Sequence, residues 1–297
     1  MTGADGAAIA AAPISWGVCE VPGWGRMLPP ERVLAEMAGL GVRATELGAV
    51  GYLPQEPAAL RALLGEHGLA LAAAFVPLVL HEPAADAALA AAEEQAALLA
   101  AAGADVFMVA VVATLDWGPR VPLDDAAWER LARHLGAVRD IVEAHGLTCA
   151  LHPHVGTLVE TAADVERALD LTDVGWCLDT GHLFIGGVDP TAFAREHAGR
   201  VVHVHLKDVD GDVAARLSAG GLSLMEAVQA GLFRPLGTGD AHVAATLDAL
   251  IAGGYDGWLV LEQDTAITGD EPAAGEGPVH SVKASLDFLR AHAQGAR

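Results

Sequence analysis

Residues 201–212 read VVHVHLKDVDGD. The run opens as a strand that is apolar on both faces, the pattern of a strand covered from both sides in a parallel sheet. It then sets His203, His205, Lys207 and Asp208 within six residues at the strand's end. His203 and His205 are two residues apart, so they share one side of the strand. A strand that is apolar along its length and ionisable at its end suits a barrel whose chemistry sits at one rim.

Seven further apolar runs share this character, at 9–15, 42–47, 69–76, 105–112, 147–152, 174–179 and 257–262. Between and after them lie helical patterns at 30–39, 56–66, 84–102, 124–145, 161–170, 190–198, 241–252 and 279–293. Several helices open on Pro or acidic residues, as in PPER, PLDDAAWERL and DPTAF, which are helix-start signals. Many strands are preceded by Gly, as in GLGVRATELG and AHGLTCAL. Such a Gly supplies the left-handed cap that turns the chain out of a helix. The repeat predicts an α/β protein, a single (β/α)8 TIM barrel spanning about 9–293 of one domain, 1–297. An open doubly wound sheet is the competitor, but the first βα turn carries no GxGxxG phosphate loop. The 207–240 segment is too long for a plain connection and contains a short helical piece near 221–230. Long βα loops in barrels usually serve the active site.

Composition narrows the function classes. The chain of 297 residues carries 39 acids against 17 bases, a net charge of −22. Such a field repels nucleic acid and anionic membrane surfaces. Cys19, Cys149 and Cys177 form no CxxC pattern, and an odd count argues against a disulfide framework. The opening MTGADGAAIAAAPISW lacks the basic region of a signal peptide. No apolar run reaches the roughly 18–20 residues a membrane span needs. The expectation is a cytoplasmic protein with no membrane or nucleic-acid partner.

Catalytic groups in such barrels sit at the C-terminal strand ends. Here those ends read ISWG, TELG with Glu46, LHPHVGTLVE with His152, His154 and Glu160, LDTGH with Asp179 and His182, HVHLKD, and VLEQD with Glu262 and Asp264. Singly, each is an ordinary residue: a strand-end His is more often a satisfied partner than a ligand, and Lys207 and Asp208 can be a solvated pair. Together they converge on one rim. Buried carboxylates such as Asp179 and Glu262 cost several kcal/mol unless paired or bound to a cation. A divalent metal removes that cost, and mixed oxygen and nitrogen donors suit Mn²⁺, Co²⁺, Mg²⁺ or Zn²⁺.

The stretches APISWGVCEVPGWG, TELG, LHPHVGT, CLDTGH, HVHLKD, FRPLGTGD (233–240) and LEQD resemble the xylose-isomerase-like TIM barrels, over about 13–293. Within that superfamily the likeness is to the inosose dehydratases, which dehydrate 2-keto-myo-inositol in inositol catabolism. The resemblance implies one divalent metal held by Glu, Asp, His and Glu from four successive strands. By matching, Asp179, His205 and Glu262 take the last three places. The first has no acid in CALHPHVG; Glu160 folding back is the assigned ligand, with His152 or His154 as the alternatives. The likeness further implies His152 or His154 as acid/base and Lys207 on a substrate oxygen or the developing enolate. It puts Glu46, His182 and Arg234 on substrate hydroxyls, His203 behind the ligands and Asp208 orienting Lys207. Trp16 and Trp24 are candidates for an apolar wall against the ring, with core or loop packing as the alternative for each single tryptophan.

The implied reaction is dehydration of an inosose or related 2-keto polyol through an enolate. The alternative is a keto-sugar isomerase or epimerase working through an enediolate, and the residue set does not separate them. A metal-dependent endonuclease is disfavoured by the charge, and a passive sugar-binding barrel by the metal-ligand set. The partner is then a small polyol or keto-sugar; a homo-oligomer is compatible with this reading.

Overall fold

Each apolar run forms a strand, and the Gly and Pro punctuation between them ends the helices. The computed structural model describes residues 8–295. Its strands are β1 (Ala8–Ala11), β2 (Ala44–Glu46), β3 (Ala70–Leu78), β4 (Val106–Val111), β5 (Thr148–Leu151), β6 (Gly175–Asp179), β7 (Val201–Leu206), β8 (Asp208–Val209), β9 (Phe233–Arg234) and β10 (Trp258–Leu261). Its α-helices are α1 (Pro30–Leu40), α2 (Pro57–Glu66), α3 (Asp86–Ala102), α4 (Asp125–Ala144), α5 (Ala162–Leu171), α6 (Thr180–Ile185), α7 (Pro190–Glu196), α8 (Gly211–Ser218), α9 (Leu224–Gln229), α10 (Val243–Ala252) and α11 (Pro278–Gly295). Eight strands pair in the order β1-β10-β7-β6-β5-β4-β3-β2 and close into a barrel. All these pairings are parallel. The protein is a (β/α)8 TIM barrel.

The local signals act as their chemistry demands. Pro30, Pro57 and Pro190 begin helices, where a missing N–H costs nothing. Thr161 and Asp164 form a capping box on α5. Gly41 and Gly103 end α1 and α3 in the left-handed region, at φ 79° and 85°.

Alternation along the strands places the site. Outward residues join the helices in the main core, among them Phe107, Leu151, Trp176 and Leu178. Inward residues form two small separate clusters: Ala10, Ala44, Ala72 and Val260, then Ala73, Val106, Met108, Ala150 and Cys177. Two residues further on, the same inward columns reach Glu46, His152, Asp179 and Glu262. Asp179 sits in register with His205. The ionisable end of VVHVHL is therefore the top layer of the barrel interior.

The structure corrects three details. The first strand stops at Ala11, and Pro13–Trp16 is a 3-10 turn that begins on a proline. Thr180–Ile185 forms a short helix absent from the sequence reading. The 207–240 segment holds two helices, α8 and α9, and the antiparallel pair β8 and β9.

Asp208 closes that segment and does not orient Lys207. Its Oδ2 accepts from the backbone N–H of Gly237 and Gly239, each at 2.9 Å, and Oδ1 from Ala241 and Val209, each at 3.0 Å. A Cβ at Gly239 would lie 2.5 Å from the Val209 carbonyl, so only glycine lets the turn approach. Asp208→Ala is expected to destabilise the fold by about 3 kcal/mol, since hydrogen bonds to a charged group contribute roughly 1.5–3 kcal/mol and the freed donors stay buried. Chemical denaturation measures this; a loss below about 1 kcal/mol would show that water replaces the carboxylate.

Candidate metal and active site

The open end of the barrel is a cavity floored by Glu46, His152, His205 and Glu262, with His154 and Asp264 on its side. Trp24, Phe75 and Trp117 supply its apolar wall. Phe75 and Trp117 stack with ring centroids 6.0 Å apart and planes at 11°. Trp117 sits at φ 59°, a conformation bulky residues rarely adopt. Its loop is tied by Thr114, whose Oγ1 accepts from Gly118 N–H at 3.0 Å.

His205 lies at the centre, and its tautomer can be argued from its partners. Nε2 lies 2.9 Å from Glu46 Oε1. A carboxylate only accepts, so Nε2 carries the proton and donates. His203 Nε2 donates to the same oxygen, also at 2.9 Å. Burial alone would push Glu46 up, but the His205 and His203 imidazoles reverse this and hold it at about 2. The other face of His205, Nδ1, points at two acids: Asp179 Oδ2 at 3.6 Å and Glu262 Oε2 in close contact. Nδ1 and Glu262 Oε2 are buried and have no hydrogen-bond partner. Two carboxylate oxygens facing a ring nitrogen require positive charge there. A second proton supplies it: burial opposes the charge, yet the surrounding groups, Glu262 and Glu46 among them, raise the His205 pKa well above its usual value. A divalent cation supplies it equally, and the atoms that converge are Asp179 Oδ2, His205 Nδ1 and Glu262 Oε2. This donor set fits a metal.

Asp179 divides its oxygens. Oδ1 accepts from Gly181 and His182 N–H at 2.8 Å and caps α6, which leaves Oδ2 facing inward. Burial opposes its charge, but Lys207 leads the groups that hold the carboxyl well below its usual range. His152 Nε2 stands 3.4 Å from Asp179 Oδ2. His152 thus fills the side of the cluster that belongs to β5.

The other residues singled out from sequence fall in different places. The structure does not bring Glu160 to the cluster: its Oε2 accepts from Gly156 N–H at 2.8 Å and pairs with Arg120 at 3.3 Å. It bends back onto its own loop because a nearer cation and an open N–H are available there. Trp16 is fully buried away from the cavity, and its Nε1 donates to Glu36 at 2.8 Å. Arg234 is exposed on β9 and does not line the cavity. Lys207 and His182 also lie outside the lining. The Lys207 ammonium is fully buried, 2.9 Å from Asp264 Oδ1 and 3.2 Å from Glu262 Oε1, so carboxylates stand between it and the cavity. A Cβ at Gly181 would lie 2.8 Å from Lys207 Cγ, so that glycine makes room for the lysine stem.

The lining residues given no role from the sequence include Asp264, Phe75 and Trp117. Asp264 stands at the end of VLEQD, where its strand-end position was the available signal. Trp117 lies in the loop after β4, and an aromatic in a βα loop is a signal of the same kind.

Residues 34–292 match the family model described as xylose isomerase-like TIM barrel. The chain is 37% identical over 266 residues to the rhizopine catabolism protein MocC of Rhizobium meliloti, covering 86% of this chain and 81% of that protein. It is 34% identical over 274 residues to an inosose dehydratase of Geobacillus kaustophilus, covering 87% and 88%. Among solved structures, an L-ribulose 3-epimerase superposes with a TM-score of 0.70 at 21% identity, covering 97% and 95%, a likeness of fold. Among the described residues no helix is long and apolar enough to cross a membrane.

The hydrogen bond from His205 Nε2 makes a specific claim about Glu46. Glu46→Gln is expected to weaken divalent-metal affinity by about 10–100-fold, the usual effect of losing a carboxylate behind a ligating His. Calorimetric titration of the apoprotein reads it. Unchanged affinity with a raised KM would return Glu46 to the substrate-binding role expected from sequence.

Proposed function

The chain belongs to the xylose isomerase-like TIM barrel family, and from that footing we propose that it is a metal-dependent hydro-lyase dehydrating an inosose or related 2-keto polyol. One observation carries the reading: ligand atoms of Asp179, His205 and Glu262, those of His205 and Glu262 buried without a hydrogen-bond partner, converge beneath a cavity whose side is formed by an imidazole and a carboxyl group. The relatives named inosose dehydratase support the substrate class.

Asp179, His205 and Glu262 would hold the metal, with His152 in the fourth place in preference to Glu160. Two imidazoles beside two carboxylates favour Mn²⁺, Co²⁺ or Zn²⁺ over Mg²⁺. Such an ion polarises the substrate carbonyl and acidifies the adjacent C–H. The proton transfers fall to the chain. His154 Nδ1 donates to the Val155 carbonyl at 2.7 Å, which leaves Nε2 bare. Burial, then His152 and Lys207, push its pKa down to about 3, so the ring is unprotonated at neutral pH, and the bare Nε2 is the atom open to a proton that the reaction releases. Burial pushes the Asp264 carboxyl up to about 6 against the pull of Lys207. Asp264 can therefore carry a proton near neutrality and give it to the departing hydroxyl. His154, Asp264 and His182 lie close together, their nearest ligand atoms within 4.8 Å of one another, so both transfers occur on one side of the substrate. Phe75, Trp117 and Trp24 meet the C–H face of the ring. On this reading Lys207 and His182 act beneath the site, and Arg234 and Trp16 take no part. The setting is inositol catabolism in the cytoplasm, with a small polyol as partner.

The test is reaction of metal-loaded protein with inososes in deuterated water, read by mass. Loss of about 18 mass units with a new carbonyl absorbance is expected, and chelation should abolish it until metal is returned. His154→Gln should keep its metal and lose about 100-fold in kcat, while His152→Gln should lose metal affinity. Turnover of keto-sugars without loss of water, and inertness toward inososes, would replace dehydration by isomerisation or epimerisation.

A further inference from the structure

Among the described residues Lys207 is the one buried lysine or arginine, and the proposed reaction brings no substrate atom to it. Its ammonium is fully buried and faces four acceptor atoms: Asp264 Oδ1 at 2.9 Å, His182 Nε2 at 3.0 Å, Glu262 Oε1 at 3.2 Å and Asp179 Oδ2 at 3.6 Å. Carboxylate oxygens and an imidazole nitrogen form the donor set of a divalent metal site. His154 joins His182 and Asp264 with ligand atoms within 4.8 Å of one another, a second metal-competent group beside the first.

The two groups share their acids. Glu262 turns Oε2 to His205 Nδ1 and Oε1 to Lys207 Nζ. Asp179 Oδ2 lies 3.6 Å from both His205 Nδ1 and Lys207 Nζ. Carboxylates spanning two adjacent cationic positions are the frame of a two-metal centre, in which the ions sit roughly 3.5–4 Å apart. Here one of the two positions is taken by a side chain. A surface ion pair would not look like this, because Asp264 and His182 are buried as well, at 4% and 1% exposure.

We propose that the Lys207 ammonium stands in the place of a second metal, and that His182, Asp264 and Glu262, with His154 beside them, form a divalent-metal site that the lysine keeps closed. The proposal rests on the first site, Asp179–His205–Glu262, binding a metal. Lys207 is a compact single charge on a flexible stem. Shortening it leaves donors that need contract by only about 1 Å to reach the ~2.0–2.2 Å of zinc–nitrogen and zinc–oxygen bonds. In the native chain the lysine confines the protein to one metal even when metal is abundant, and it fixes Glu262 so that Oε2 alone is offered to that metal.

The test uses the full chain loaded with excess Co²⁺, desalted, and measured for cobalt per chain and for magnetic coupling by electron paramagnetic resonance. Wild type and Lys207→Arg should hold one ion. Lys207→Ala should hold two, with the coupled signal of neighbouring ions, and adding Asp264→Asn to Lys207→Ala should return it to one. Lys207→Ala loses the charge that balances the buried acids, and its melting temperature should rise in two steps as two equivalents of cobalt are added. A wild type that holds two ions overturns the proposal, as does a Lys207→Ala that holds one or shows a single step. A wild type that holds none instead overturns the metal reading of the first site.

Discussion

One oxygen of Glu46 accepts from both His203 and His205, and the orientation of the rim follows from that pair of bonds. They settle which nitrogen of His205 carries hydrogen. Its other nitrogen is thereby turned on Asp179 and Glu262. Without Glu46 the ring could flip or reverse its tautomer, and two buried acids would face an N–H of undefined direction. The constraint reaches back to strand parity: Glu46 and His205 meet because the barrel points both columns inward at the same height.

Charge balance sets the rest. Asp179, Glu262 and Glu46 are all held below their usual carboxylate range in a buried layer, against His205 and Lys207. Several buried ions are tolerable only where each finds opposite charge or hydrogen-bond donors. Backbone N–H groups help: Gly181 and His182 take one oxygen of Asp179. Below this layer the interior is mostly alanine with a few larger side chains, and its polar member, His203 in register with Cys177, is tied upward through Nε2 to Glu46.

The barrel was legible because its signals are local. Apolar runs, Pro at helix starts and Gly at helix ends each act within a few residues. Asp179, His205 and Glu262 were legible as a converging set because strand ends share a rim. What depends on side-chain reach was not. Glu160 has the right chemistry for the missing acid, but Arg120 and the Gly156 N–H hold it, and neither partner can be inferred from spacing. Trp16 and Trp24 read alike in sequence; Glu36 holds the first in the core, while the second donates to the Thr265 carbonyl and lines the cavity. Lys207 looks like a group that reaches out, and only the packing of Gly181 against its stem shows that it lies beneath the acids. The β8–β9 pair escaped because two-residue strands carry no periodicity.

The Asp208 staple has an evolutionary side. It binds the chain just after β7 to the chain at Gly237, Gly239 and Ala241, so the excursion carrying α8 and α9 leaves and returns at one clamped point. That excursion delivers Leu224 to the cavity mouth and reaches the opposite loop through Gln229, whose side chain donates to the Gly23 and Trp24 carbonyls. A segment clamped at its neck and laid across the mouth through a few side chains is a replaceable module. Its length and sequence can drift without moving β7, so substrate range can diversify among such barrels while the ionic floor is inherited intact.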